Sequence, residues 1–135
     1  MYLLGNQDAA GIEMYVRTNG KLAFGVWREG GSGYEAVTSD ISMQPNTDYY
    51  VIAMYDGKTS YLYINNKLVG TLETEGGKIK NPSGTVHMLI GANPSRNSND
   101  KVVIDSPERR AKMKLYRAEL YGSTNLYKEE ETVNA

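Results

Sequence analysis

The chain has 135 residues, no cysteine and one histidine, and its 15 basic and 16 acidic side chains leave a net charge of −1. That length suits one domain with its own core, and the missing cysteines exclude disulfide staples and thiol chemistry. The charges are scattered rather than blocked, so neither a nucleic acid nor a cationic partner of histone type is expected.

No apolar run is long enough to cross a bilayer as a helix, so no membrane partner is expected. Met1 to Gly5 lacks the positive start and long apolar stretch of a secretory signal. His87 is the lone histidine, which leaves no His-rich zinc site and argues against a Ser/His/Asp triad. Eleven Tyr stand against one Phe and one Trp. Tyrosine pairs an apolar ring with a polar tip, which suits strands with one face in the core and one face wet.

Tyr2-Leu3-Leu4 is a short apolar run ended by Gly5. From Gly11 to Arg17 the residues alternate, with Ile12, Met14 and Val16 on one face and Glu13, Tyr15 and Arg17 on the other, which predicts a half-buried strand. Asn19-Gly20 supplies a hairpin turn, and Leu22, Phe24 and Val26 then alternate with Ala23, Gly25 and Trp27 on the way back. The glycine-rich stretch from Glu29 to Gly33 connects to a strand predicted over Tyr34 to Thr38, and Ser39 to Thr47 is read as a loop.

Asp48 to Gly70 holds three apolar-rich runs separated by Asp56-Gly57 and Asn65-Asn66. Gly and Asn tolerate the positive φ of type I′ hairpin loops, so a three-stranded meander is predicted. Thr74 to Gly84 is polar and interrupted by Pro82. Val86 to Gly91 is predicted to be a strand, with His87 on its wetter face. Asn93 to Asp100 is read as a solvated loop and Val102 to Ile104 as a brief strand. Ser106-Pro107 is read as the start of one helical turn, Ala111 to Tyr121 as a closing strand and Glu129 to Ala135 as a charged tail. No long helix is expected. The pattern is all-β: a two-sheet antiparallel sandwich or jelly roll.

The order Asp48 to Gly57, then Leu62-Tyr63-Ile64-Asn65-Asn66-Lys67-Leu68-Val69-Gly70, resembles the laminin G-like family of the concanavalin A-like lectin/glucanase superfamily. Met88-Leu89-Ile90-Gly91-Ala92-Asn93-Pro94 is similar to that family's next landmark. Lys114 to Tyr121 falls where its closing strand would be. The resemblance implies two packed antiparallel sheets with a concave face over residues 1–122, followed by a tail at 123–135.

Family members usually carry one or two more strands before the segment beginning at Tyr2. The resemblance therefore leads to the expectation of a truncated N-terminus or of reduced strands, with an edge strand left unpaired for self-association. It further implies a non-catalytic accessory module of a larger bacterial or phage protein, secreted or on the cell surface, that meets neighbouring domains of its parent chain. Many relatives have an acidic residue where this chain has Tyr116, which weakens any transfer of a calcium ion near that strand.

Glycoside cleavage needs two carboxyl groups facing each other across a cleft. Glu73 and Glu75 have alternate spacing but sit at a glycine-flanked strand end, so catalysis is not expected. Binding a sugar asks for an aromatic platform with polar groups beside it. Trp27, Tyr15, Arg17 and Tyr34 are the candidates, because parity sets the first three opposite the core residues and Tyr34 follows the glycine loop; covering the sheet's second face is the alternative role for Trp27. Calcium is the candidate cofactor, with Asp8, Asn93 and Asp100 as oxygen donors on loops, although their spacing matches no defined calcium loop. The expected role is carbohydrate binding or adhesion. The alternative is a structural or protein-interaction module without a sugar ligand.

Overall fold

The structure is a computed structural model and describes residues 1–5, 10–30, 33–81, 88–96, 102–105 and 111–120, with 93–96 and 102–105 described by their backbone alone. Ten strands run in chain order: β1 (Tyr2–Gly5), β2 (Ile12–Val16), β3 (Lys21–Trp27), β4 (Tyr34–Ser42), β5 (Val51–Tyr55), β6 (Thr59–Ile64), β7 (Lys67–Glu73), β8 (Leu89–Ile90), β9 (Asn93–Arg96) and β10 (Val102–Asp105). The first sheet has the order β4-β3-β2-β1-β8, the second β5-β6-β7, and β9 and β10 form a separate pair. Among the described residues there is no helix.

The period-two pattern places the core. Met14, Leu22, Phe24, Val26 and Val37 of the five-stranded sheet meet Leu62, Ile64 and Val69 of the three-stranded sheet in one cluster. Leu22 and Leu62 are fully buried, and burial of each such side chain stabilises the fold by about 1.5–3 kcal/mol. The two sheets approach closely where β7 passes β4. A Cβ on Gly70 would lie 2.8 Å from the Thr38 carbonyl oxygen, so only glycine permits that approach.

The Asp48–Gly70 meander forms as predicted, but its two turns differ. Asn65 (φ 51°) and Asn66 (φ 66°) both adopt the left-handed conformation of a type I′ loop. At the other turn only Gly57 does so (φ 100°), and the connection spans Asp56 to Lys58. The Asp56 side chain holds it by accepting from the Lys58 and Thr59 amides at 3.0 and 2.7 Å. Those two bonds, Thr59's first, hold its carboxyl below the usual carboxylate range.

Four expectations are corrected. β4 does not end at Thr38 but runs to Ser42. The β3–β4 register shifts between Ala23↔Thr38 and Lys21↔Ser42, and there the buried Ser39 Oγ accepts from the Leu22 amide at 3.0 Å. A polar side chain replaces the ladder carbonyl, which is why the segment reads as loop. Asn93 to Arg96 is a strand rather than a loop, paired from Asn93↔Asp105 to Arg96↔Val102. Its hydrogen bonds come from the backbone, which polar residues supply as well as apolar ones.

The strand predicted from Val86 covers only Leu89–Ile90 among the described residues. Residues 111–120 form no strand; Leu115, Tyr116 and Leu120 are exposed, and Ala111 N donates to the Gly91 carbonyl at 2.8 Å. Alternation alone does not make a strand without a ladder partner. The predicted helical turn at Ser106, His87 and the tail at Glu129 lie outside the described residues.

Candidate functional site

The face of the five-stranded sheet turned away from the core carries Tyr2, Glu13, Tyr15, Ala23, Gly25, Trp27 and Tyr34. Register brings them together: Tyr2 pairs with Tyr15, Glu13 with Gly25, Tyr15 with Ala23, and Trp27 with Tyr34. Small residues at Ala23 and Gly25 leave the middle of this face empty of side chains from β3 itself. Tyr34 lies down into that space. A Cβ on Gly25 would stand 2.3 Å from the Tyr34 hydroxyl and 2.5 Å from its ring.

Polar bonds then fix the ring. Tyr34 Oη donates to Glu13 Oε1 at 2.6 Å and lies 3.4 Å from Tyr15 Oη. Because Tyr34 spends its one proton on Glu13, Tyr15 is the donor in the second contact. Burial first, then the bonds to Glu13 and Tyr15, push the Tyr34 phenol well above its ordinary range, so it stays protonated at any physiological pH. Glu13 itself is buried at 5% exposure, although parity alone would set it in water.

Around this centre the aromatic groups form a strip. The Trp27 and Tyr34 rings stand 5.3 Å apart at 44°, Tyr15 meets Tyr2 edge-on at 6.2 Å, and the Arg17 guanidinium sits 5.4 Å from the Tyr15 ring centroid. Cation–π and tilted ring contacts of this kind hold side chains in place without closing them off. Tyr15, Trp27 and Tyr34 are half-buried and Arg17 is exposed. All four predicted sugar-binding residues therefore lie on one face and in one chain of contacts.

Beyond Ile12, residues 78–80 take the place of β2 beside β3. Lys80 N donates to the Trp27 carbonyl and Glu29 N to the Lys78 carbonyl, at 2.8 and 2.9 Å, around an Arg28↔Ile79 bridge. Arg28 points to the other side, where its buried guanidinium bonds Glu35 Oε2 at 3.1 Å and the Gly76 carbonyl at 2.8 Å. Its Nε is the buried side-chain nitrogen without a partner among the described residues. An open hollow of about 590 Å³ adjoins Trp27 here, lined also by Arg28, Glu29, Gly30, Gly33, Lys80 and Asn81.

The sequence reading did not single out Glu13, Gly25 or Lys80. A glycine inside a strand was the available signal for Gly25, since it marks a close approach; Lys80 carried none, because its neighbour across the bridge is distant in sequence. Of the calcium candidates, Asp8 and Asp100 lie outside the described residues, and the Asn93 backbone belongs to β9 instead of a loop tip. Among the described residues no three acidic or histidine side chains are grouped to hold a metal ion. Glu73 and Glu75 are both exposed, and Glu73 pairs with Lys58 Nζ at 3.1 Å.

Two antiparallel sheets packed through one core define an all-β sandwich. A laminin G family model, described as the concanavalin A-like lectin/glucanases superfamily, matches residues 1–107, and the chain belongs to that family. Comparison with curated proteins and with solved structures finds no match.

Proposed function

We propose that the chain is a non-catalytic carbohydrate-binding or adhesion module of a larger extracellular or cell-surface protein, with Trp27, Tyr34, Tyr15 and Arg17 as its contact surface. The observation that carries this reading is the Trp27–Tyr34 pair, rings 5.3 Å apart on a rigid sheet face. A sugar's apolar face stacks on such rings, while the exposed Arg17 guanidinium offers donors for its hydroxyl groups. The carboxyl group at the centre of the face, Glu13, is covered by Tyr34, and cleavage needs two carboxyls open to the scissile bond. Membership of a superfamily containing lectins supports the same reading.

The test is a glycan array followed by affinity gels on the full chain, with calcium and with chelator, beside Trp27→Ala. Retardation lost in Trp27→Ala is the expected result, and it should be equal with calcium and with chelator because none of the four contact side chains is a carboxylate that would hold the ion. A strict calcium requirement would move the site to the calcium candidates Asp8, Asn93 and Asp100. No glycan signal, or binding indifferent to Trp27, would sink the proposal and leave a protein-interaction module in its place.

A further inference from the structure

The hollow beside Trp27 is built from groups of unlike chemistry. Antiparallel pairing around Arg28↔Ile79 sets Trp27 across from Lys80 and Glu29 across from Lys78, on the face away from Arg28. Glu29 itself lines the hollow beside Lys80, and Lys78 lies across the ladder from it, so this end of the face carries two ammonium groups and one carboxylate, all exposed. Lys80 is exposed and makes no ion pair among the described residues. The backbone under it is held firmly: Gly11 N donates to the Lys80 carbonyl at 2.7 Å, and Gly77 is tied to Gly57 and to the Tyr55 hydroxyl.

Gly33 lies against the Trp27 ring, and at Gly30 there is open space where a side chain would stand. The hollow therefore offers a ring, the Lys80 ammonium, the Glu29 carboxylate and the Asn81 carboxamide, with room of about 590 Å³, within the size range of small-molecule sites. At the far end of the aromatic strip a second cation, Arg17, stands over Tyr15. At one end of the ring-bearing strip Lys78 and Lys80 outnumber Glu29, and at the other stands Arg17, while the central carboxyl, Glu13, is buried.

We propose that this hollow binds an acidic sugar, with Trp27 stacked on the sugar ring and Lys80 paired with its carboxylate or sulfate. The inference rests on the glycan-binding reading and names the ligand's charge. The chain's net charge of −1 offers no general attraction to a polyanion, so the preference has to come from local placement.

The experiment is affinity electrophoresis of the full chain through gels holding polygalacturonate, dextran sulfate or neutral dextran, with melting curves for every variant. Variants are Lys80→Glu, Trp27→Ala and Lys67→Glu; the last makes the same charge change at a separate hollow lined by Tyr49, Ile41 and Val69. One or both acidic polymers should retard the wild type more than neutral dextran does, the pair showing whether carboxylate or sulfate is the group read. Lys80→Glu should weaken retardation about tenfold or more with an unchanged melting temperature, and Lys67→Glu should not. Retardation by neutral dextran alone, or equal effects of the two lysine variants, overturns the acidic-sugar assignment and leaves the glycan reading standing. Polyanion retardation that survives Trp27→Ala is charge attraction only and overturns it too. Retardation by no polymer here and no signal on the glycan array removes both readings.

Discussion

The two faces of β3 are settled by opposite means. On the inner face Leu22, Phe24 and Val26 are large, buried and packed against the second sheet. On the outer face Ala23 and Gly25 are small, and side chains from the neighbouring strands, Tyr15 of β2 and Tyr34 of β4, fill the room they leave. The inner face gains its stability from bulk. The outer face gains a shaped surface from the lack of it, anchored by the buried Glu13 carboxyl. One strand therefore carries both the stability of the sandwich and the geometry of its candidate site, on alternate residues.

The largest test breaks the inner face. Leu22→Ala should cost about 3 kcal/mol of stability, because the fully buried site leaves a cavity that rigid sheets close poorly. Glycan retardation of the protein that remains folded should be unaltered. Gly25→Ala comes next and reverses the pattern. Its methyl group would overlap the Tyr34 ring, and an overpacked site of this kind costs about 1–3 kcal/mol. The ring must leave its seat over Gly25, so retardation should fall even where denaturant curves show the sandwich intact. Both variants losing stability and binding in the same proportion would mean that the two faces are not separable.

Much of this contrast is legible in the sequence, and the illegible part has a common cause. Parity alone separates Leu22, Phe24 and Val26 from Ala23, Gly25 and Trp27, and it puts Tyr15 and Arg17 on Trp27's side. It places Glu13 there as well but cannot say that Tyr34 will lie over it, since that needs the β3–β4 register of Trp27↔Tyr34. The Lys80–Trp27 pairing depends on a bridge between residues far apart in the chain, for which no local pattern exists. Asn93 to Arg96 and Ala111 to Leu120 fail in opposite directions: the first is polar yet finds a partner in β10, and the second alternates yet forms no strand. Pattern reports which face a residue would take in a ladder; whether the ladder forms is decided by the neighbour.

The smallest predicted effect sharpens the outer face alone. Tyr34→Phe keeps the ring over Gly25 and removes only the hydroxyl, so Glu13 loses its bond at 2.6 Å. A lost bond to a buried carboxyl costs about 1–2 kcal/mol, reduced here because Tyr34 is partly open to solvent. The pH dependence tells this bond from simple packing. In the fold the phenol's pKa is raised above its ordinary 10.0, first by burial and then by Glu13 and Tyr15. A raised value means that the stability it contributes is fully present below about pH 10 and is lost as pH climbs toward the folded-state value, since the unfolded chain ionises first. Urea denaturation of wild type and Tyr34→Phe at about pH 7 and about pH 10.5 should therefore show the wild-type advantage shrinking at the higher pH. The other ten tyrosines are common to both proteins and cancel in that difference. An advantage that stays constant across the two conditions would show Tyr34 titrating as a free phenol, and the Glu13 anchor would no longer explain how the outer face holds its shape.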